Sequence, residues 1–223
     1  MTSPHTAPAS TPRAIPDQVQ AVLFDMDDTL VDSERAWAAA ADRLWAETGS
    51  SSRAPAIPGG TIEDLARAYG AGHPSADLEA VTARLLVLLD EELGDQVRPM
   101  PGAVDLVSRL DTRLPVAVAS NSPSAVVRRT ITTLGWSKRF SAMLGTDDVP
   151  RPKPAPDLYH EAARRCGAEI EHCVVFEDSP MGAKAALSSG AFVITLGSTD
   201  TGHLSVPDLL DPLVTSWNPE PLS

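Results

Sequence analysis

Positive charge is scarce in this 223-residue chain. Lys and Arg number 18 against 30 Asp and Glu, so the formal net charge is -12. Only Lys138, Lys153 and Lys184 are lysines. An acidic surface of this kind disfavours nucleic acid and anionic membranes as partners. Aromatic residues make up 4%, too few to suggest a stacking platform for bases. The two cysteines, Cys166 and Cys173, form neither a disulfide framework nor a zinc-binding pattern and read as buried thiols. No apolar run reaches transmembrane length, and the N-terminal stretch lacks the basic and apolar regions of a signal peptide. The expectation is a cytoplasmic protein, a monomer or weak homodimer, with no nucleic-acid or membrane partner.

What the chain has is apolar residues at 43%, enough for one good-sized core or a core with a small second domain. Residues 1–18 are rich in Pro, Thr, Ser and Ala without periodicity and predict a disordered tail. Ala21-Val22-Leu23-Phe24 reads as a strand buried on both faces. Residues 32–98 look all-helical. A helix from Ser33, capped by Asp32 or Ser33, ends at Gly49; a short one covers 62–69; a longer one runs from near Ser75 to before Gly94. That segment carries 12 acidic residues, 6 Arg and no Lys. From Pro101 helices alternate with strands at 116–120, 142–145, 173–177 and 192–196, with Gly135, Gly167 and Gly190 closing helices. The alternation predicts an α/β fold: a Rossmann-like parallel sheet with helices on both faces, the first strand joining it and a small all-helical domain inserted after that strand. The expected division is a core of 19–31 and 99–223 and an inserted domain of 32–98. The segment from Gly197, rich in Pro and Asp, predicts no element.

In such sheets the ligand crevice lies beyond the carboxyl ends of the strands. The first strand stops in Asp25, Asp27 and Asp28, a cluster that a hard divalent cation, Mg²⁺ above all, would make tolerable. The next ends in Ser120-Asn121-Ser122, the third leads through Asp147-Asp148 to Lys153, and the fourth ends in Glu177-Asp178-Ser179. Taken singly, these residues also read as turns, helix caps or a solvated lysine. Together they suit phosphoryl transfer. Carboxylates hold the metal, and a hydroxyl, an amide and an ammonium surround the phosphoryl group. Asp25 is placed to attack phosphorus, and Asp27 to protonate the leaving oxygen and then activate water.

Asp25-x-Asp27-x-Thr29, Ser120-Asn121, Lys153 and Glu177-Asp178, in this order, resemble the four motifs of the haloacid dehalogenase superfamily. Phe24-Asp-Met-Asp-Asp-Thr-Leu-Val-Asp-Ser33, Lys153-Pro-Ala-Pro-Asp157 and Val175-Phe-Glu-Asp-Ser-Pro-Met-Gly-Ala183 look closest to its phosphoglycolate phosphatase and β-phosphoglucomutase branch. The resemblance covers roughly residues 21–196. It implies that Asp25 is the nucleophile and Asp27 the acid/base. Mg²⁺ would be held by Asp25, the main-chain carbonyl of Asp27, and Asp178, with Glu177 supporting. Ser120 and Asn121 would bind the phosphoryl group, Lys153 would pair with Asp25 and the phosphate, and Thr29 would fix the loop. Residues 32–98 sit where the family inserts a helical cap.

Asp27 argues against a metal-free dehalogenase, and a cap without Lys argues against a Schiff-base phosphonate hydrolase. A β-phosphoglucomutase-type mutase would need a basic cap grip on a second phosphate. Pro58 and Ile62 fall at the matching positions, which leaves Arg53, Arg67 or His73 to replace it. A non-catalytic regulatory protein would be marked by a lost motif residue. The expected function is Mg²⁺-dependent hydrolysis of a small phosphorylated metabolite: a sugar or polyol phosphate, or a phosphoglycolate-like ester.

Overall fold

The computed structural model describes residues 14–47, 54–94, 97–197, 199 and 201–222. Six parallel strands form the main sheet. They are β2 (Ala21–Phe24), β3 (Val116–Ala119), β4 (Ala142–Leu144), β5 (Cys173–Glu177), β6 (Phe192–Leu196) and β7 (Leu204–Val206), in the order β4-β3-β2-β5-β6-β7. A separate parallel pair joins β1 (Gln18–Val19) to β8 (Glu220–Pro221).

The pleat sends alternate residues to opposite faces. Val22 and Phe24 of β2, Val116 and Val118 of β3, and Val174 and Phe176 of β5 enter one core layer, where Phe24 and Phe176 stack at 5.3 Å. Leu23, Ala117 and Val175 enter the other, together with the buried Tyr159. Helices α4 (Ala103–Arg109), α5 (Ser124–Thr133) and α8 (Pro212–Thr215) cover the first layer, and α6 (Asp157–Cys166) and α7 (Pro180–Ser189) the second. Registers Phe24↔Val118 and Phe24↔Phe176 align the ends of β2, β3 and β5 side by side, which brings their following loops together.

Between β2 and α4 lie the inserted helices α1 (Glu34–Glu47), α2 (Ile62–Gly72) and α3 (Leu78–Leu93), which bury a core of their own around Leu44, Trp45, Tyr69 and Leu85. The insertion joins the core through two adjacent strands of chain. Met100 N–H donates to Leu30 O, Asp32 N–H donates to Arg98 O, and Val31 bridges Pro99 in antiparallel fashion.

Three expectations change. The expected disordered tail reaches Gln18, yet Ile15 is buried, Gln18 pairs in β1, and Trp217 Nε1 donates to Pro16 O at 2.8 Å. Residues 1–13 lie outside the described set. The segment after Gly197 supplies β7, α8 and β8. The expected end of α1 at Gly49 also lies outside the described residues. Ser33 immediately precedes α1 and its carbonyl accepts the Trp37 N–H, but the side chain that accepts N–H groups there is that of Asp28, whose Oδ1 takes those of Ser33 and Glu34. Among the described residues, no helix is long and apolar enough to cross a membrane.

Candidate active site

The carboxyl ends of β2 and β5 place Asp25 and Glu177 on adjacent strands, and the loop before α6 delivers Lys153 between them. Lys153 Nζ stands 2.6 Å from Asp25 Oδ1 and 2.6 Å from Glu177 Oε1. All three side chains are buried, and Lys153, a solvated residue on a bland reading of its sequence, is only 2% exposed. Burial pulls the Lys153 ammonium down, but the two carboxylates outweigh it and hold its pKa above the ordinary lysine range. Burial drives the Asp25 carboxyl well above the usual carboxylate range, with Glu177, Asp178 and Asp27 acting the same way and Lys153 opposing them. Asp178 is pushed up to about 7 by burial, then by Glu177 and Asp28. One ammonium among these carboxylates leaves an excess of buried negative charge.

That excess fits a hard divalent cation. Asp25, Glu177 and Asp178 each bring a carboxylate oxygen within 4.8 Å of the others, an all-oxygen donor set of the kind Mg²⁺ takes. Glu177 is the least available of the three. Its Oε1 accepts from Lys153 and from Tyr159 Oη at 2.7 Å, and its Oε2 accepts from Asp178 N, Ser179 N and Ser179 Oγ. Five donors saturate a carboxylate. Asp25 and Asp178 each give one oxygen to a described partner, Lys153 and Thr29 respectively, and both line the cleft.

Asp27 occupies a nest of four donors. Oδ1 accepts from Ser33 Oγ at 2.7 Å and Trp37 Nε1 at 3.0 Å; Oδ2 accepts from Ser120 Oγ and Ser122 Oγ, both at 2.9 Å. The first two donors belong to the segment entering the insertion, the last two to the core. Asn121 binds backbone: its Oδ1 accepts Lys153 N–H, and its Nδ2 donates to Lys153 O and to Gly59 O of the insertion loop. Of Ser120 and Asn121, expected at the phosphoryl group, Asn121 lines the cleft and Ser120 is buried behind Asp27. There they hold Asp27 and the Lys153 loop.

A cleft of about 350 Å³ opens over these groups, between the core and the segment from Ala54 to Thr61 together with α1. Of the expected basic grips, Arg67 pairs with Asp64, and His73 stacks on Tyr69 at 4.2 Å. Neither lines the cleft, and Arg53 lies outside the described residues.

Sequence reasoning missed the place of Tyr159 and Trp37 at the site, and it named Ser122 and Asp28 at the strand tips without the bonds they make. Tyr159 shares the buried face of α6 with Leu158, Ala162 and Ala163, so it reads as core, and its hydroxyl partner is at the end of β5, distant in sequence. Ser122 had a signal, since it follows Ser120 by two at a turn after β3, where its N–H meets the Ser120 hydroxyl and both hydroxyls reach one acceptor. Asp28 adopts a left-handed backbone, φ 58°, which short polar side chains tolerate.

Residues 19–190 match the family model described as haloacid dehalogenase-like hydrolase. The chain is 31% identical over 174 residues to fructose-1-phosphate phosphatase YqaB of Escherichia coli K12, covering 76% of this chain and 92% of that one. It is 33% identical over 199 residues to hexitol phosphatase A of the same organism, covering 84% and 88%. A bifunctional riboflavin kinase/FMN phosphatase of Arabidopsis thaliana is 39% identical over 106 residues, and the match spans 28% of that longer protein. Among solved structures, β-phosphoglucomutase of Clostridium difficile superposes with a TM-score of 0.72 at 18% identity, covering 86% of this chain and 92% of that one. Motif order, strand-tip geometry and family match agree: this chain belongs to the haloacid dehalogenase-like hydrolases.

Proposed function

We propose that this protein is a Mg²⁺-dependent phosphomonoester hydrolase acting on a small sugar or polyol phosphate through an aspartyl-phosphate. The observation that carries this reading is the buried ion network of Lys153 with Asp25 and Glu177, next to Asp178, at the floor of a cleft sized for a small metabolite. A cation bound by Asp25 and Asp178 would offset negative charge on the phosphoryl oxygens. The names of the phosphatase relatives support the substrate class.

In the first step an Asp25 oxygen forms a bond to phosphorus as the ester P–O bond breaks, and the departing alkoxide takes a proton from Asp27. In the second, Asp27 takes a proton from water as that water attacks phosphorus, and the P–O bond to Asp25 breaks, releasing phosphate. Asp27 must let go of at least one of its four donors to serve either step. Lys153 keeps Asp25 oriented and offsets its charge. Ser120 and Asn121 are assigned to the phosphoryl group, which they would meet on releasing Asp27 and the Gly59 and Lys153 carbonyls respectively, Thr29 to positioning Asp178, and residues 32–98 to the cap. A mutase would require a basic contact for a second phosphate, and the described part of the cleft offers none beyond Lys153.

Phosphate release from p-nitrophenyl phosphate and a panel of sugar and polyol phosphates tests the reading. Activity is expected to need Mg²⁺, to vanish with EDTA, and to fall at least ~10³-fold in Asp25→Asn. Glucose 6-phosphate formed from β-glucose 1-phosphate without phosphate release would point to the mutase, and full activity in Asp25→Asn would refute the assigned nucleophile.

A further inference from the structure

Asp27 Oδ2 takes two hydroxyl donors from one strand tip: Ser120 Oγ and Ser122 Oγ each stand 2.9 Å from it. Both serines are buried, and neither lines the cleft. The Ser122 backbone is held on both sides. Its N–H donates to Ser120 Oγ at 2.9 Å, and its carbonyl accepts the Thr146 N–H at 3.1 Å. Gly145 packs so closely that a Cβ there would lie 2.5 Å from Ser122 O. The Ser122 hydroxyl therefore stands on a fixed turn, as a side chain that orients another must.

A serine hydroxyl carries one proton and donates it to one acceptor at a time. Ser120 is assigned to the phosphoryl group, and turning its proton to a phosphoryl oxygen breaks its bond to Asp27. We infer that Ser122 is a positioning residue for the acid/base: it keeps hold of Asp27 Oδ2 when Ser120 turns away, and so keeps Oδ1 aimed at the leaving oxygen. Oδ1 is the cleft-side oxygen, because its partner Trp37 lines the cleft. As the ester P–O bond breaks, the proton passes from Asp27 Oδ1 to the departing alkoxide, and Ser122 retains its own proton throughout. The inference rests on the phosphatase reading and deepens it. Of two neighbouring serines, one meets the phosphoryl group and the other steadies the carboxyl that protonates the alcohol.

Leaving-group dependence separates this role from a merely structural one. An alkoxide leaves far less readily than p-nitrophenolate, so an alkyl ester depends more on the proton from Asp27. The phosphoryl group is the same in both. The full chain with Mg²⁺ would be assayed for kcat/KM on p-nitrophenyl phosphate and on the best sugar or polyol phosphate of the panel. Both esters are read on one preparation, so a partly unfolded variant leaves their ratio unchanged. Ser122→Ala is expected to lower the alkyl-to-aryl ratio of kcat/KM by ~10-fold or more. Ser122→Thr, which keeps the hydroxyl, should restore most of it. Ser120→Ala should lower both esters by similar factors, and Asp27→Asn should show the same bias as Ser122→Ala more strongly. A ratio unmoved by Ser122→Ala, or moved as much by Ser120→Ala, overturns the inference. If Asp27→Asn shifts the ratio and Ser122→Ala does not, the phosphatase stands and the role of Ser122 falls. If Asp27→Asn shows no bias, Asp27 is not the acid; if wild type hydrolyses neither ester, the phosphatase reading fails. In both cases the inference fails with it.

Discussion

Tyr159 acts on the site through Glu177. Its hydroxyl donates to Glu177 Oε1, and its ring lies 4.8 Å from the Lys153 ammonium, so one side chain steadies both partners of the ion network. Tyr159→Phe keeps the packing and removes only the donor. It is expected to cost about 1.5–3 kcal/mol of stability, the range for a hydrogen bond to a buried charge, as measured by urea unfolding. An unchanged midpoint would mean the hydroxyl is idle. The second prediction concerns charge. Asp178 is raised to about 7 in the cation-free fold, so the folded chain holds that proton more tightly than the unfolded chain does. The stabilisation is full below the unfolded carboxylate pKa and is lost as pH rises through about 7. A divalent cation that takes the proton's place restores it. Mg²⁺ should therefore raise the thermal midpoint more at pH 8 than at pH 6, and equal shifts at both would contradict the assignment.

At the scale of elements, the loop from Ala54 to Thr61 meets the core at Gly59. Gly59 has φ 71° and accepts from Asn121 through its carbonyl, and a Cβ there would lie 2.5 Å from Ser179 Oγ. Gly59→Ala is expected to lower kcat/KM about tenfold or more while the unfolding midpoint shifts by little, since strain of about 1–2 kcal/mol falls on the contact between loop and core. Loss of stability without loss of activity would refute this docking role. The elements of the core were legible because each carries its own punctuation. Gly167 and Gly190 end α6 and α7 where expected, and β5 and β6 match residue for residue. The insertion was read less well. α3 starts at Leu78 rather than near Ser75 because Asp77 takes the N–H groups of Glu79 and Ala80. α2 runs through Gly70 to Gly72, past the expected end at Tyr69. β7 is three residues at a sheet edge, too short to carry a pattern, and it is defined by pairing with β6. The same limit applied at the site. The first polar residue at each strand tip could be read off, but the partners of Asp27 come from two stretches of chain far apart in sequence, 33–37 and 120–122.

Across the whole molecule, the two ends of the described chain brace the core. β1 pairs with β8, and Trp217 packs 5.8 Å from the Phe176 ring while its indole N–H reaches Pro16. Phe176 immediately precedes Glu177, so this brace lies directly behind the strand tip that carries Glu177. Trp217→Ala should destabilise the fold by about 3–5 kcal/mol, read by denaturant unfolding. A cost under 1 kcal/mol would show that the ends are ornamental to the core.

The neck at Leu30–Asp32 and Arg98–Met100 has a consequence for descent. Because the insertion leaves and re-enters the core at one place, it can be exchanged, enlarged or lost as a unit while β2, β3 and β5 stay in register. Substitutions on the cleft face of α1 can therefore reshape the cleft wall while the strand tips that carry Asp25 and Glu177 keep their places.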